Sequence, residues 1–234
     1  WSTSATLWNA LIAYSNLTSD TQFNDVVASA MYAQVGESDA YMPANQTKTL
    51  GNGNQTQWGL AALSASELGF PKEEDGKPGW LYLARNVFDV QTLRWNDSTC
   101  RGGLRDAIFT FNNDYNQMSS STASSFFLLS SRLYKTTSNE TYREWAEKQY
   151  TAATDNGLVG DNGTIVDYLD IEEDGCTLRK NEGATSESLG HWLEGAAVLF
   201  NATDGNQTWS TRVSNMKTGI SAFTSLNGNN IDTD

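Results

Sequence analysis

Leu-Gly-Asn-Gly-Asn-Gln-Thr-Gln-Trp-Gly-Leu-Ala-Ala-Leu, residues 50–63, is a glycine-broken stretch that leads directly into an apolar helix. Gly51 and Gly53 permit backbone conformations closed to other residues, so the stretch predicts a tight turn at a helix start. Three amide side chains are aimed from this turn: Asn52, Asn54 and Gln55. Amides followed by Trp58 at such a turn indicate sugar recognition.

The overall charge restricts the class of partner. The 234 residues include 15 basic and 28 acidic side chains, which gives a net charge of −13. Such a charge opposes nucleic acid and anionic membrane surfaces. No linker or shift in composition divides the chain, and no apolar run approaches the ~20 residues that cross a bilayer. We therefore expect a single domain over residues 1–234, monomeric and without a membrane-spanning segment.

Eight tripeptides fit the rule for N-glycosylation. They begin at Asn16, Asn45, Asn54, Asn96, Asn139, Asn162, Asn201 and Asn206. So many sites favour the secretory pathway, and we expect a secreted or cell-surface protein. Cys100 and Cys176 are the only cysteines, and in that compartment a single disulfide is the simplest account of an even number.

Apolar residues recur at helical spacing in eight segments, which predicts a helical protein. The segments lie around residues 7–12 and 23–31 and near 56–69, 78–93, 120–136, 139–154, 186–202 and 206–225. The clearest apolar face belongs to the fourth segment and carries Trp80, Leu81, Ala84, Val87 and Phe88. Irregular loops at about 37–55, 94–119 and 155–185 follow pairs of helices, so we expect them to build the functional face together.

Residues 40–47, Ala-Tyr-Met-Pro-Ala-Asn-Gln-Thr, and residues 58–63, Trp-Gly-Leu-Ala-Ala-Leu, resemble glycoside hydrolase family 76, the endo-α-1,6-mannanases and their cell-wall transglycosidase relatives. Further short motifs resemble the family in the same order along the chain: Arg94-Trp95, Gly102-Gly103-Leu104-Arg105, Phe126-Phe127, Ser131-Arg132-Leu133, Thr141-Tyr142, Trp145-Ala146 and Gly195-Ala196-Ala197. The resemblance implies an all-α fold, an (α/α)6 barrel of twelve helices of which this chain would hold about eight. It also implies a bridge between Cys100 and Cys176.

The resemblance implies a catalytic pair that this sequence lacks. The family reads Asn-Asp-Asp-Gln in its active-site loop, and the positions matching the two aspartates are Gly53 and Asn54. A retaining glycosidase needs two carboxyl groups about 5–5.5 Å apart, one as nucleophile and one as proton donor. Glycine offers no side chain and an amide fills neither role, so the family mechanism cannot run from these positions.

Carboxylates have appeared at other positions that the family uses. Asp106 and Glu187 stand where the family has other residue types, and Asp167 matches an acidic residue ahead of the second cysteine. One interpretation is that Asp106 and Glu187 form a new pair across the cleft. The alternative is that both face water or a basic neighbour such as Arg105, as most acidic residues do.

The resemblance also implies ligand contacts. Asp39 and Tyr41 match the family word Asp-x-Tyr-Met-Pro and are expected on the cleft floor. Trp58 and Trp95 could stack on a pyranose ring or belong to the core. The remaining expected sugar contacts are Asn52, Asn54, Gln55 and Arg105. Asn54 also begins a glycosylation tripeptide, which we expect to be unused because the following helix makes it inaccessible.

The sequence contains no residue pattern typical of a metal or cofactor site. His191 is the only histidine, so a histidine-based triad or a multi-histidine zinc site is excluded. The acidic residues 170–175 lack the spacing of an EF-hand. We expect no metal and no cofactor.

The sequence therefore predicts an extracellular family 76-like protein that recognises α-1,6-mannan or other mannose-containing cell-wall glycans, with lost or altered glycosidase chemistry. Two alternatives stay open. One is an active α-mannanase with relocated carboxylates, Asp106, Glu187 and Asp167. The other is a non-catalytic scaffold that binds proteins.

Overall fold

The computed structural model describes residues 1–72, 76–179 and 185–220. This part of the chain contains eight α-helices, at the places where helical spacing predicted them. They are α1 (Ser2–Thr18), α2 (Asn24–Tyr32), α3 (Asn52–Glu67), α4 (Trp80–Thr92), α5 (Ser120–Thr137), α6 (Glu140–Asp155), α7 (Ser186–Ala202) and α8 (Gln207–Gly219). The all-α prediction is confirmed. Residues 221–225 of the last predicted helix lie outside the described residues.

The chain forms two compact units. The first unit consists of Trp1–Arg94 and Ala107–Asn112, and the second of Trp95–Asp106 and Asn113–Asp234. The prediction of one domain over residues 1–234 remains a prediction.

In the first unit, α3 packs against both α1 and α4. Four of the five residues predicted for the apolar face of α4 are buried: Trp80, Ala84, Val87 and Phe88. Leu81 is only half-buried. Gly59 lets α3 approach α4 closely, since a Cβ at this position would lie 2.9 Å from Val87 Cγ1.

In the second unit, α5 lies between α6 and α7, and α8 packs on α7. An aromatic core joins these helices. The rings of Phe127 and Tyr150 contact each other, and each of them also contacts Trp192 and Trp209. Gly195 makes room for this core, because a Cβ there would lie 2.5 Å from the Phe127 ring.

A small antiparallel sheet stands in the segments predicted as irregular loops. Its strands are β1 (Gln117–Ser119), β2 (Tyr168–Glu172) and β3 (Gly175–Leu178), in the order β1-β2-β3. The register pairs Met118 with Leu169 and Ile171 with Cys176. The strands were missed because three to five residues are too few for a clear alternation.

The predicted disulfide is confirmed. Cys100 and Cys176 are bonded, with their Cα atoms 5.6 Å apart. The bond joins the segment before β1 to strand β3.

Candidate functional site

The first turn of α3 contains Gly53 and Asn54, the two positions that the family resemblance predicts to correspond to a catalytic pair. Gly51 is the N-cap, with an extended backbone at φ −122° and ψ 160°, and the helix begins at Asn52. It therefore starts four residues earlier than predicted, and Gly53 and Asn54 lie in its first turn. Neither glycine has a positive φ. The prediction that Gly51 and Gly53 use glycine-only conformations was wrong.

Two of the predicted sugar contacts are buried beneath the start of α3. Asn52 is 2 % exposed and Gln55 is fully buried. Arg94 donates from one nitrogen to both side-chain oxygens, at 2.7 Å to Asn52 Oδ1 and 2.7 Å to Gln55 Oε1. Gln55 Nε2 donates to the Ala40 carbonyl at 2.6 Å. Both amides thus anchor the helix start from inside, which corrects their assignment as direct ligand contacts.

Arg94 supplies the positive charge of this buried network. It follows the C-terminus of α4, and its other terminal nitrogen lies 2.9 Å from the Met42 sulfur. Burial lowers the pKa of Arg94 to about 10, so the guanidinium stays charged at pH 7. The described hydrogen bonds give it amide and sulfur partners, and no carboxylate among them.

Gly53 and Asn54 are less buried than Asn52 and Gln55 on either side of them. Asn54 Nδ2 donates to the Thr49 carbonyl at 3.1 Å, within the loop that precedes α3. Neither position has a carboxyl group. The helix start can therefore offer hydrogen bonds to a ligand but no nucleophile or general acid at these two positions.

The aromatic residues expected on the cleft floor are part of the core. Trp58 is 1 % exposed and Tyr41 is fully buried. Their rings stack at 5.4 Å, and Trp1 packs on Trp58 at 5.3 Å. Trp58 is therefore a core residue and no open platform for a sugar. Asp39 is half-buried, and its carbonyl accepts a hydrogen bond from Asn86 Nδ2 at 3.2 Å.

Strain and burial single out the segment around Tyr41. Asp39 and Tyr41 both have positive φ, at 52° and 54°, which non-glycine residues seldom adopt. The Tyr41 hydroxyl and the Trp58 indole N–H have no hydrogen-bond partner among the described residues. Burial raises the pKa of Tyr41, so the phenol is neutral.

In the second unit, Trp95 and Arg105 already have protein partners. Trp95 is half-buried and donates from its indole nitrogen to Asp97 at 2.7 Å. Lys148 Nζ lies over the Trp95 ring, 4.8 Å from its centroid. Arg105 donates to the Tyr115 carbonyl at 2.9 Å and lies over the Tyr115 ring at 4.6 Å.

Two of the candidate residues contact the start of α5, Asp106 through its carboxyl group and Asp167 through its backbone carbonyl. Asp106 Oδ1 accepts from the Ser119 backbone N–H at 3.0 Å and from the Ser119 hydroxyl at 2.7 Å. Ser119 is the N-cap of α5. The Asp167 carbonyl accepts from the Ser120 N–H at 2.6 Å, and Asp167 is 7 % exposed. Asp106 therefore supports the N-cap residue of α5 from a half-buried position, a role that neither of the two sequence interpretations included.

Glu187, the third candidate, differs from the other two. It lies in the first turn of α7 with a side chain 54 % exposed, 4.0 Å from His191 Nε2. Burial, with a smaller contribution from the charge of Arg132, lowers the pKa of His191 to about 4. The imidazole is thus neutral at pH 7, and its contact with Glu187 is not an ion pair. Burial raises the pKa of Asp106.

Sequence reasoning missed one exposed aromatic feature in the first unit. Phe109 and Phe111 stack with centroids 5.3 Å apart and planes at 4°. The two residues lie in a turn, in which the Asn112 N–H donates to the Phe109 carbonyl at 3.1 Å, so no strand-like alternation marks the pair in the sequence. The pair was overlooked because the whole stretch 94–119 was interpreted as an irregular loop.

Two kinds of feature are absent from the described part of the chain. In residues 1–72, 76–179 and 185–220, no three His, Cys, Asp or Glu side chains gather in a way that could hold a metal ion. No helix in these ranges combines the length and apolar character needed to cross a membrane.

The fold and the α3 start define the class of protein. The chain belongs to glycosyl hydrolase family 76, whose profile matches residues 1–234. Its structural neighbours are all-α, barrel-like members of this family.

Two relatives are mannan endo-1,6-alpha-mannosidases by name. The chain is 35 % identical over 215 residues to mannan endo-1,6-alpha-mannosidase DCW1 of Candida glabrata, covering 91 % of this chain and 47 % of that protein. It is also 35 % identical over 215 residues to the Saccharomyces cerevisiae protein of the same name, with the same shares covered. The chain therefore spans about half the length of the curated relatives it matches.

Solved structures agree with this assignment. Dfg5 from Chaetomium thermophilum, in complex with glucosamine, superposes with a TM-score of 0.90 at 35 % identity, over 96 % of this chain and 55 % of that chain. An inactive α-1,6-mannanase variant from Salegentibacter, in which two consecutive aspartates are replaced by asparagine, is bound to α-1,6-mannotriose. It superposes with a TM-score of 0.73 at 18 % identity, over 94 % and 60 % of the two chains, and shows a shared fold.

Proposed function

We propose that this chain belongs to an extracellular protein that recognises α-1,6-linked mannose and has lost the family's glycosidase chemistry. The single observation that supports this proposal is the first turn of α3. Gly53 and Asn54 occupy the two positions that match the catalytic aspartates, and the Asn54 amide donates to the Thr49 carbonyl. The site is a helix start with amides in place of acids.

The absence of carboxyl groups at the α3 start argues against hydrolysis of mannan but not against binding of mannan. Without a nucleophile and a proton donor, hydrolysis of a glycosidic bond loses several orders of magnitude in rate. Hydrogen bonds to sugar hydroxyl groups do not need a carboxylate, because amides both donate and accept. The Salegentibacter variant is a precedent, since that protein is inactive with two asparagines and still forms a complex with mannotriose.

The extracellular location rests on the surface of the protein. Seven of the eight asparagines that begin glycosylation tripeptides are exposed: Asn16, Asn45, Asn96, Asn139, Asn162, Asn201 and Asn206. The eighth, Asn54, is half-buried with its Nδ2 bonded to Thr49. A disulfide between Cys100 and Cys176 fits the same oxidising compartment. The net charge of −13 is unfavourable for nucleic acid as a partner.

The alternative of an active mannanase has weaker support. Asp106 is engaged in capping α5, and Asp167 is almost completely buried. Glu187 is the one exposed carboxylate among the three candidates.

A scaffold that binds proteins is favoured by a separate observation, the exposed apolar side chains of α1 and α2. Leu7 is 52 %, Leu17 81 % and Val26 60 % exposed.

The experiment compares three proteins that differ only at the α3 start. The wild type carries Gly-Asn, the single variant Gly53→Asn carries Asn-Asn, and the double variant Gly53→Asp with Asn54→Asp carries Asp-Asp. We expect all three to bind α-1,6-mannotriose in calorimetry. Only the double variant should release sugar from α-1,6-mannan, and Gly53→Asn controls for the added side-chain volume.

The outcomes separate the three functions. Hydrolysis by the wild type would replace the proposal by the relocated-carboxylate mechanism, and its loss in Glu187→Gln would identify the acid. If none of the three proteins binds mannotriose, the family membership reports fold alone and recognition of mannan is refuted.

A further inference from the structure

The phenylalanine pair, Phe109 and Phe111, is an unusual feature of the first unit. The two rings are nearly parallel, at 4°, with centroids 5.3 Å apart. Phe111 is 64 % exposed while Phe109 is half-buried. Phe109 therefore supports the Phe111 ring from one side, and much of the Phe111 ring faces solvent.

The pair is tied to the start of α3. Ala107 forms an isolated antiparallel bridge with Gly51, the N-cap of α3. The Ile108 N–H also points to the Leu50 carbonyl, at 3.5 Å. Each residue spans at most about 3.6 Å of chain, so the Cα of Phe109 lies within roughly 7 Å of the Cα of Ala107. Ala107 and Ile108 thus attach the segment that carries the pair to the two residues just before α3.

The residues next to the phenylalanine pair are polar, and this indicates the kind of ligand that it binds. Thr110 and Asn112 flank the Phe111 ring in sequence, and the α3 start adds amides such as Asn54. One flat apolar ring within a polar rim complements a pyranose, which has an apolar C–H face and hydroxyl groups around its edge. A protein partner of the usual kind would call for a broader contiguous apolar patch.

We propose that the phenylalanine pair is a stacking platform for one pyranose ring of an α-1,6-mannose chain, next to the sugar held at the α3 start. Phe111 contacts the sugar and Phe109 is a positioning residue. Contact removes exposed apolar ring surface from water, which favours binding. This inference rests on the proposed function and names a second contact surface for the same ligand.

The test measures α-1,6-mannotriose binding by calorimetry in the wild type and in three variants. Phe111→Ala should weaken binding about tenfold, because the stacking contact is lost. Phe111→Trp should keep the affinity, since an aromatic plane remains. The matched control is Leu93→Ala, which removes a side chain that is 86 % exposed in the same unit and should change nothing.

A second measurement detects the contact itself. Saturation-transfer NMR with irradiation of the aromatic protons should mark the ring C–H protons of one mannose unit. Phe111→Ala should abolish that transfer, and Phe109→Ala should reduce it because the supporting ring is missing. Circular dichroism of each variant verifies that the helices are intact.

The outcomes distinguish this inference from the proposed function, with maltotriose and chitotriose as additional probes. Mannotriose binding that is equal in the wild type and Phe111→Ala overturns the platform and leaves the proposed function standing. Binding of only another trisaccharide, again dependent on Phe111, keeps the stacking surface but overturns mannose as its ligand. No binding of any trisaccharide overturns both.

Discussion

The starts of α3 and α5 are both built on polar networks, and these networks use different groups: a guanidinium at α3 and a carboxyl group at α5. At α3, the cation Arg94 holds the side-chain oxygens of Asn52 and Gln55. At α5, the carboxylate of Asp106 accepts two hydrogen bonds from Ser119. The comparison teaches that Asp106, one of the carboxylates considered for catalysis, has a structural role at the N-cap residue of α5. Gly53 and Asn54, in the first turn of α3, contribute no carboxyl group.

The largest effect is expected from Arg94→Ala. The substitution removes two charge-assisted hydrogen bonds to buried amide oxygens, at Asn52 and Gln55. We expect the free energy of unfolding to fall by about 4 kcal/mol. Urea denaturation measures it, and Arg85→Ala, which removes an exposed arginine from α4, is the matched control. Similar small losses in both variants would show that the α3 network is dispensable.

A pH-dependent effect on stability is expected from His191 in the second unit. The pKa of His191 is lowered by burial to about 4, below the ~6.5 of an unfolded histidine, so the unfolded state binds the proton first. The stability due to neutral His191 is complete above pH 6.5 and is lost as the pH falls towards 4, by roughly 3 kcal/mol.

His191→Gln should remove this part of the pH profile. Urea denaturation at intervals between pH 4 and 7 gives the difference from the wild type. That difference isolates His191 from the carboxylates that titrate in the same range. Parallel profiles for the two proteins would contradict the buried, neutral imidazole.

Asp106→Ala should have an intermediate effect. The Ser119 N–H and hydroxyl lose their acceptor at the N-cap of α5, which lowers the free energy of unfolding by about 1–2 kcal/mol. Removal of the exposed neighbour Asp114 by Asp114→Ala should have little effect. Thermal unfolding of the two variants makes the comparison, and equal midpoints would refute the cap.

Asp106 also predicts a pH dependence of its own. Burial raises the pKa of Asp106, so the folded state keeps its proton to a higher pH than the unfolded state. Stability should therefore fall as the pH rises from the ordinary aspartate pKa of ~3.9 to the raised value, and then stay constant. Asp106→Asn should lack this decline.

The smallest effect is expected from Asn54→Asp. The variant loses the hydrogen bond from Nδ2 to the Thr49 carbonyl but places a negative charge in the first turn of α3. Since negative charge is favourable at a helix N-terminus, the net change should stay within about 0.5 kcal/mol. Chemical denaturation measures it. A loss above 2 kcal/mol would mean that stability and not function had selected asparagine.

The helices and the disulfide could be predicted from the sequence because their signals are local or come from the family resemblance. The apolar face of α4 repeats every three to four residues, and Trp80, Ala84, Val87 and Phe88 are buried accordingly. The α3 boundary could not be predicted, because Asn52 is held by Arg94 from 42 residues away. The phenylalanine pair was missed since only the bridge from Ala107 to Gly51 brings it near the α3 start.

The sequence by itself determined which chemical groups are present: amides and a glycine at the α3 start, one histidine in the whole chain, and family membership through ordered short words. Only the tertiary structure decided which of these groups are exposed to solvent. Asn52, Gln55, Tyr41 and Trp58 have the composition of a sugar site, yet all four are buried. Burial is set by residues far apart in sequence, and no local pattern encodes the distance between them.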